Sequence, residues 1–161
     1  MPLRLSIAAL LFCFAAACKT PPPAELSVEI RPADAAAGPA LKSGDTLKRS
    51  APLSLSVLNA SSAPTFLMLF VVDAGERVYW LLPNATPNAQ SVQLPNNPSP
   101  MKLGPVTLEQ ATPGKAQVVA FFSDRPLPAM GVNEQVRVGG WNAVRGLDGA
   151  TVVQSYPLVL E

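Results

Sequence analysis

Histidine is absent from this 161-residue chain, and the absence excludes a wide range of chemistry. Without an imidazole there is no Ser-His or Cys-His dyad, no histidine metal ligand, and no side chain whose ordinary pKa lies near neutrality. Carboxylate pairs and Ser-Lys arrangements stay open, because neither needs histidine. Charge is scarce as well: charged residues make up 14% of the chain and hydrophobic residues 48%, a balance too apolar for a disordered polymer. Basic residues gather nowhere beyond the pair Lys48-Arg49. A nucleic-acid binder needs a basic face to displace counterions from phosphates, so nucleic acid is not an expected partner. Cysteine occurs only at Cys13 and Cys18, which excludes a disulfide framework.

The 18 prolines and 10 glycines that are present follow no collagen-like period. They imply many turns and few long helices, which places an all-β fold first. The length suits one domain with a core of its own.

Residues 1–17, MPLRLSIAALLFCFAAA, place one positive charge at Arg4 before an uncharged apolar run and small residues. That is the three-part layout of a secretory signal peptide. Its apolar part spans roughly 13 residues, short of the ~20 a helix needs to cross a bilayer. Loss of this leader removes Arg4 from the 12 Lys plus Arg, leaving the basic and acidic counts equal at 11.

The boundary Ala15-Ala16-Ala17-Cys18 resembles the lipobox of bacterial lipoproteins, although Ala15 stands where leucine is commonest. The resemblance implies that Cys18 becomes a diacylated mature N-terminus and that the membrane is a partner through this anchor. Lys19 at the next place lacks the aspartate that acts as an inner-membrane retention signal, which favours the outer membrane of a cell envelope. An ordinary signal-peptidase site is the alternative. Against it, a lone exported thiol would be a liability that acylation removes. Residues 18–25, with three consecutive prolines, then read as an extended tether, and residues 26–161 as the folded domain.

Within that domain Leu26, Val28 and Ile30 alternate with polar residues, as do Leu53, Leu55 and Val57, the period of a half-buried strand. Residues 65–73, TFLMLFVVD, are apolar on both sides and predict a central strand covered on both faces. A tight turn at Asp73 to Glu76 would return the chain antiparallel along Arg77 to Asn84. A short piece is expected at Ser91 to Leu94. Further strands are expected over MKLGPVTLE and KAQVVAFFSD, with a turn from Ala111 to Gly114, and over the closing TVVQSYPLVLE, edged or interrupted by Pro157. Residues 126–149 read as either a strand or a frayed helix. About seven short strands with turns between them predict a single antiparallel β-sandwich of the immunoglobulin-like kind.

The middle of the chain resembles the bacterial domain-of-unknown-function family 4384. The matching features are Gly44-Asp45, the apolar strand Phe66 to Asp73, Gly75, Leu82-Pro83-Asn84 and the later PGKAQVVAFFSDRPL, with Gly75 standing slightly further from Pro83 than in the family pattern. The resemblance implies an accessory or interaction role, with an envelope protein or glycan as partner. It supplies no catalytic residues.

Trp141, flanked by Arg137 and Arg145, is the candidate interaction surface, since aromatic and arginine side chains dominate binding hot spots; core packing of Trp141 is the competing reading. Tyr79 and Trp80 are neighbours on a strand, so one points in and the other out, toward a ligand or under a covering loop. Asp73 to Glu76 lacks the oxygen spacing of a calcium loop and reads as a hairpin turn. Asn59 and Asn84 fit a glycosylation pattern that a bacterial lipobox makes idle. A glycan-active enzyme would need two carboxylates, such as Asp124 with Glu134 or Asp148. No catalytic residue, metal ligand or cofactor site is recognisable beyond this. The expectation is therefore a membrane-anchored, non-catalytic binding or assembly module.

Overall fold

The computed structural model describes residues 26–33, 39–63, 65–83, 86, 88–143 and 152–161, apart from the side chains of residues 98, 141, 142 and 152. Residues 1–25, which hold the expected signal peptide, Cys18 and the expected tether, therefore lie outside the described residues, as do Asn84, Arg145 and Asp148.

Two sheets face each other. The smaller pairs β1 (Leu26–Pro32), β3 (Leu53–Asn59) and β7 (Asn97–Val106) in the order β1-β3-β7. The larger has the order β2-β9-β8-β4-β5, built from β2 (Thr46–Leu47), β4 (Thr65–Val72), β5 (Val78–Leu82), β8 (Gly114–Ser123) and β9 (Val152–Leu160). A short β6 (Val92–Leu94) pairs with the start of β4. All pairings are antiparallel except β2 with β9, which is parallel. This is an all-β, sandwich-like fold of two sheets. It departs from the plain form by β6 and by a helix, α1 (Ala129–Ala143), in the place of a tight hairpin between β8 and β9.

Burial follows the sequence period. Val28, Ile30, Leu53, Leu55 and Val57 from one sheet meet Leu67, Leu69, Val71, Val118, Ala120, Phe122 and Leu158 from the other, each nearly inaccessible to water. The alternate residues of β4 and β8, namely Met68, Phe70, Val72, Val119 and Phe121, are just as buried, because Ala129, Val132 and Val136 of α1 cover them. The helix answers the ambiguity of residues 126–149. Its amphipathic signal is weak because Gly139 and Gly140 interrupt it, Gly140 leaving the helical conformation at φ 57° and ψ −147°.

Two strand boundaries differ from expectation for one physical reason, the placing of proline. β7 begins at Asn97 rather than Met101 and carries Pro98, Pro100 and Pro105. It is an edge strand, where missing N–H groups cost no ladder bond. Pro157 sits inside β9 opposite Gln117. Its carbonyl accepts from the Gly44 N–H at 2.7 Å, so its backbone faces away from β8 and no β8–β9 bond is lost.

The sandwich has two ends. β1 enters at one, together with the connection between Asn59 and Thr65, and this is the entry end. The far end holds the hairpin between β4 and β5, the connection between β7 and β8, and the terminal Glu161. Near the entry end the free edges of β1 and β9 are joined by side chains. Gln154 accepts from the Val28 N–H at 3.0 Å and donates to the Leu26 carbonyl at 2.8 Å, so its amide substitutes for a strand peptide. The Tyr156 hydroxyl donates to the Val28 carbonyl; burial and the charge of Glu29 push its pKa up, which keeps the donor proton in place.

Replacing Gln154 by Ala would leave one donor and one acceptor of β1 unpaired. The expected outcome is a loss of about 1–3 kcal/mol in urea unfolding. Amide exchange should quicken at Val28 while the centre of β8 keeps its protection.

Candidate functional site

The hairpin at the far end is organised by one carboxylate. Asp73 follows β4 and is wholly covered, yet it is satisfied as an anion. Its Oδ1 accepts from the N–H groups of Gly75 at 2.8 Å and Arg77 at 3.0 Å, and its Oδ2 from the N–H of Thr112 at 2.8 Å. Burial alone would raise its pKa. The Thr112 hydroxyl and the N–H groups of Arg77, Thr112 and Gly75 outweigh that and lower it from 3.8 to about 2. The hairpin-turn reading of this segment is thereby explained: the carboxylate closes an Asx-type turn and ties it to a loop 39 positions away. The positive φ of the turn falls on Glu76, at 59°, and not on Gly75. Glu76 lies against the kink of α1, where a Cβ on Gly140 would stand 2.8 Å from its Oε1. Both backbones therefore hold a left-handed geometry where hairpin and helix meet.

Arg49 makes a second tie. Its guanidinium donates to the carbonyls of Glu109 at 2.8 Å and Ala111 at 3.0 Å, while its own N–H donates to the carbonyl of Glu161 at 2.9 Å. Three loops of the far end thus converge on Asp73 and Arg49.

Two grooves open beside them. One, of about 360 Å³, lies between β5 and the loop after β7, with Val78, Trp80, Thr107, Glu109 and Gln110 among its walls. The N–H of Asp73 bonds to the carbonyl of Arg77. By the alternation of an antiparallel ladder, Val78 and Trp80 then turn their backbone groups away from β4, toward this groove. The other groove, of about 830 Å³, runs over the outer face of β8 and β9 past Lys115, Gln117, Ser155 and Pro157. Both offer hydrogen bonds and apolar contact, which suits binding.

Of the residues singled out from sequence, Arg137, Glu134 and Asp124 are described, whereas the Trp141 side chain, Arg145 and Asp148 lie outside the described residues. Arg137 is exposed and bonds Glu134 on its own helix through two contacts of 2.9 and 2.6 Å. That hydrogen bond, with the Arg137 charge, holds the Glu134 carboxyl below its usual range. Glu134 is thus engaged by a neighbouring guanidinium, and Asp124 is exposed. Trp141 belongs to α1, but its side chain lies outside the described residues, as does the whole of Arg145. Of the two adjacent aromatics, Tyr79 packs on the core between the sheets. Trp80 packs on the helix side with its ring 5.0 Å from that of Phe70, so the covered reading of Trp80 holds. Among the described residues no three metal-ligating side chains gather. The role of Thr112 was not visible in sequence, because nothing local marks a threonine as the partner of a distant turn aspartate.

No family model, curated protein or solved structure matches this chain.

Asp73 makes stability depend on pH in a defined direction. Its pKa is lower folded than unfolded, so its contribution is complete above about pH 4 and fades as pH falls toward 2. Asp73→Asn should therefore lose about 1–3 kcal/mol at pH 6. The gap between variant and wild type should narrow at pH 2.5, as followed by urea unfolding at both pH values.

Proposed function

We propose that this chain is a lipid-anchored protein of a bacterial cell envelope whose β-sandwich is a non-catalytic binding or assembly module. The observation that carries the reading is the boundary Ala15-Ala16-Ala17-Cys18 after an apolar leader, with no cysteine in the 143 residues from Lys19 to Glu161. Export with a single thiol is economical only when that thiol is capped. Two or three acyl chains, at roughly 0.8 kcal/mol per buried methylene, make the attachment effectively permanent. Lys19 after the cysteine favours the outer membrane.

A binding role is supported by what the domain offers at its surface: a β5 edge that pairs with no further strand among the described residues, beside a groove, mixed-sign charge on the far-end loops, and Asp73 and Glu134 carboxylates occupied by internal partners. The resemblance to family 4384 points the same way. Partner chemistry on this reading is an envelope protein or a glycan, recognised by hydrogen bonds and stacking without covalent change.

Metabolic labelling with an alkyne fatty acid tests the anchor. Wild type should incorporate label and fractionate with membranes, whereas Cys18→Ser should lose essentially all label and accumulate as the uncleaved precursor. Equal labelling of the two proteins rules the reading out.

A further inference from the structure

The ionisable side chains are distributed unevenly along the sandwich axis. The chain has no Asp, Glu, Lys or Arg between Arg49 and Asp73, and none between Arg77 and Lys102. These intervals supply the connection from β3 to β4 and most of the connection from β5 to β7, both at the entry end. Among the described residues only Asp124 and Arg125 bring charge there. The far end carries Lys48, Arg49, Asp73, Glu76, Arg77 and Glu109 on its loops.

The charge-poor end is also where the anchor would emerge. Leu26 opens β1 and pairs with Asn59, and the Asn59 amide donates to the Pro95 carbonyl at 3.2 Å. Pro95 in turn lines a groove of about 520 Å³ whose walls, including Ser62, Gln93 and Asn96, carry no charge. Met130, on the first turn of α1 at this end, is 70% exposed. Seven residues separate Cys18 from Leu26, a covalent reach of at most about 29 Å. The sandwich itself, at ~3.3 Å per residue along β9, is about 30 Å tall.

We propose that the entry end is a membrane-facing surface: its neutral loops and Met130 lie against the lipid headgroups, and the far end, with the β5 groove, projects away from the membrane. This rests on the anchor reading and extends it to orientation. Turning the far end to the lipid would strip water from more charged side chains, a larger cost than partly desolvating uncharged amides and hydroxyls. The short tether also holds the entry end nearer the bilayer than the opposite one. A methionine at the headgroup level adds apolar contact at no such cost.

The test uses the full acylated protein in vesicles of phosphatidylethanolamine and phosphatidylglycerol. A fluorophore is placed by Ser62→Cys or Asn96→Cys at the entry end, and by Lys48→Cys or Glu109→Cys at the far end. Headgroup spin-labelled lipid should quench the entry-end labels several-fold more than the far-end labels. Equal quenching, or stronger quenching of the far end, overturns the orientation while leaving the anchor standing. Two other outcomes defeat the anchor, and the orientation with it: wild type that stays off the vesicles, or Cys18→Ser that binds them equally.

Discussion

Two strands, β4 and β8, are dry on both faces, and the rest of the architecture answers that constraint. Each buries a full row of large apolar side chains on either side, and every such side chain returned to water would cost about 1.5–3 kcal/mol. One face is covered by β1, β3 and β7. A second sheet cannot cover the other within so short a chain, so α1 crosses it with Ala129, Val132 and Val136. The molecule is thus a sandwich with a third, partial layer, and the helix is required by the strands it covers more than by its own weak pattern.

Polar groups settle what hydrophobic burial leaves open. Sheet stacking alone fixes neither the seam between β1 and β9 nor the loops of the far end. At the seam, Gln154 and Tyr156 supply the hydrogen bonds that a neighbouring strand would have made. At the far end Asp73 and Arg49 gather the backbone groups of loops distant in sequence. The buried carboxylate of Asp73 is satisfied by the Thr112 hydroxyl and three N–H groups, and their shared preference for an anion outweighs burial and accounts for its low pKa. These polar side chains are employed in holding loops, which leaves backbone edges and grooves as the surface open to the proposed partner.

Among the described residues charge is denser at one end of the sandwich and β1 begins at the other, an asymmetry that composition does not reveal. The proposed anchor gives that asymmetry a use. A neutral end tolerates a nearby headgroup layer, and a charged end remains hydrated where a partner would approach.

The alternation of apolar residues was enough to read most strands, the sandwich and the β4–β5 hairpin, because a period of two records which face of a strand is dry. The unbroken apolar run of residues 65–73 likewise stated that both faces of β4 are covered. It could not name the cover, since the helix over 129–143 is built from residues whose pattern two glycines blur. The start of β7 was equally hidden: proline forbids a central strand, and only the completed sheet shows that this one is an edge. At the candidate site the sequence identified a turn at Asp73 but not Thr112, its partner 39 positions away. Sequence determines local period, turn chemistry and the Ala-Ala-Ala-Cys boundary at Cys18. Tertiary structure alone decides which distant groups share a neighbourhood, because hydrogen bonds and burial act through space and carry no mark along the chain.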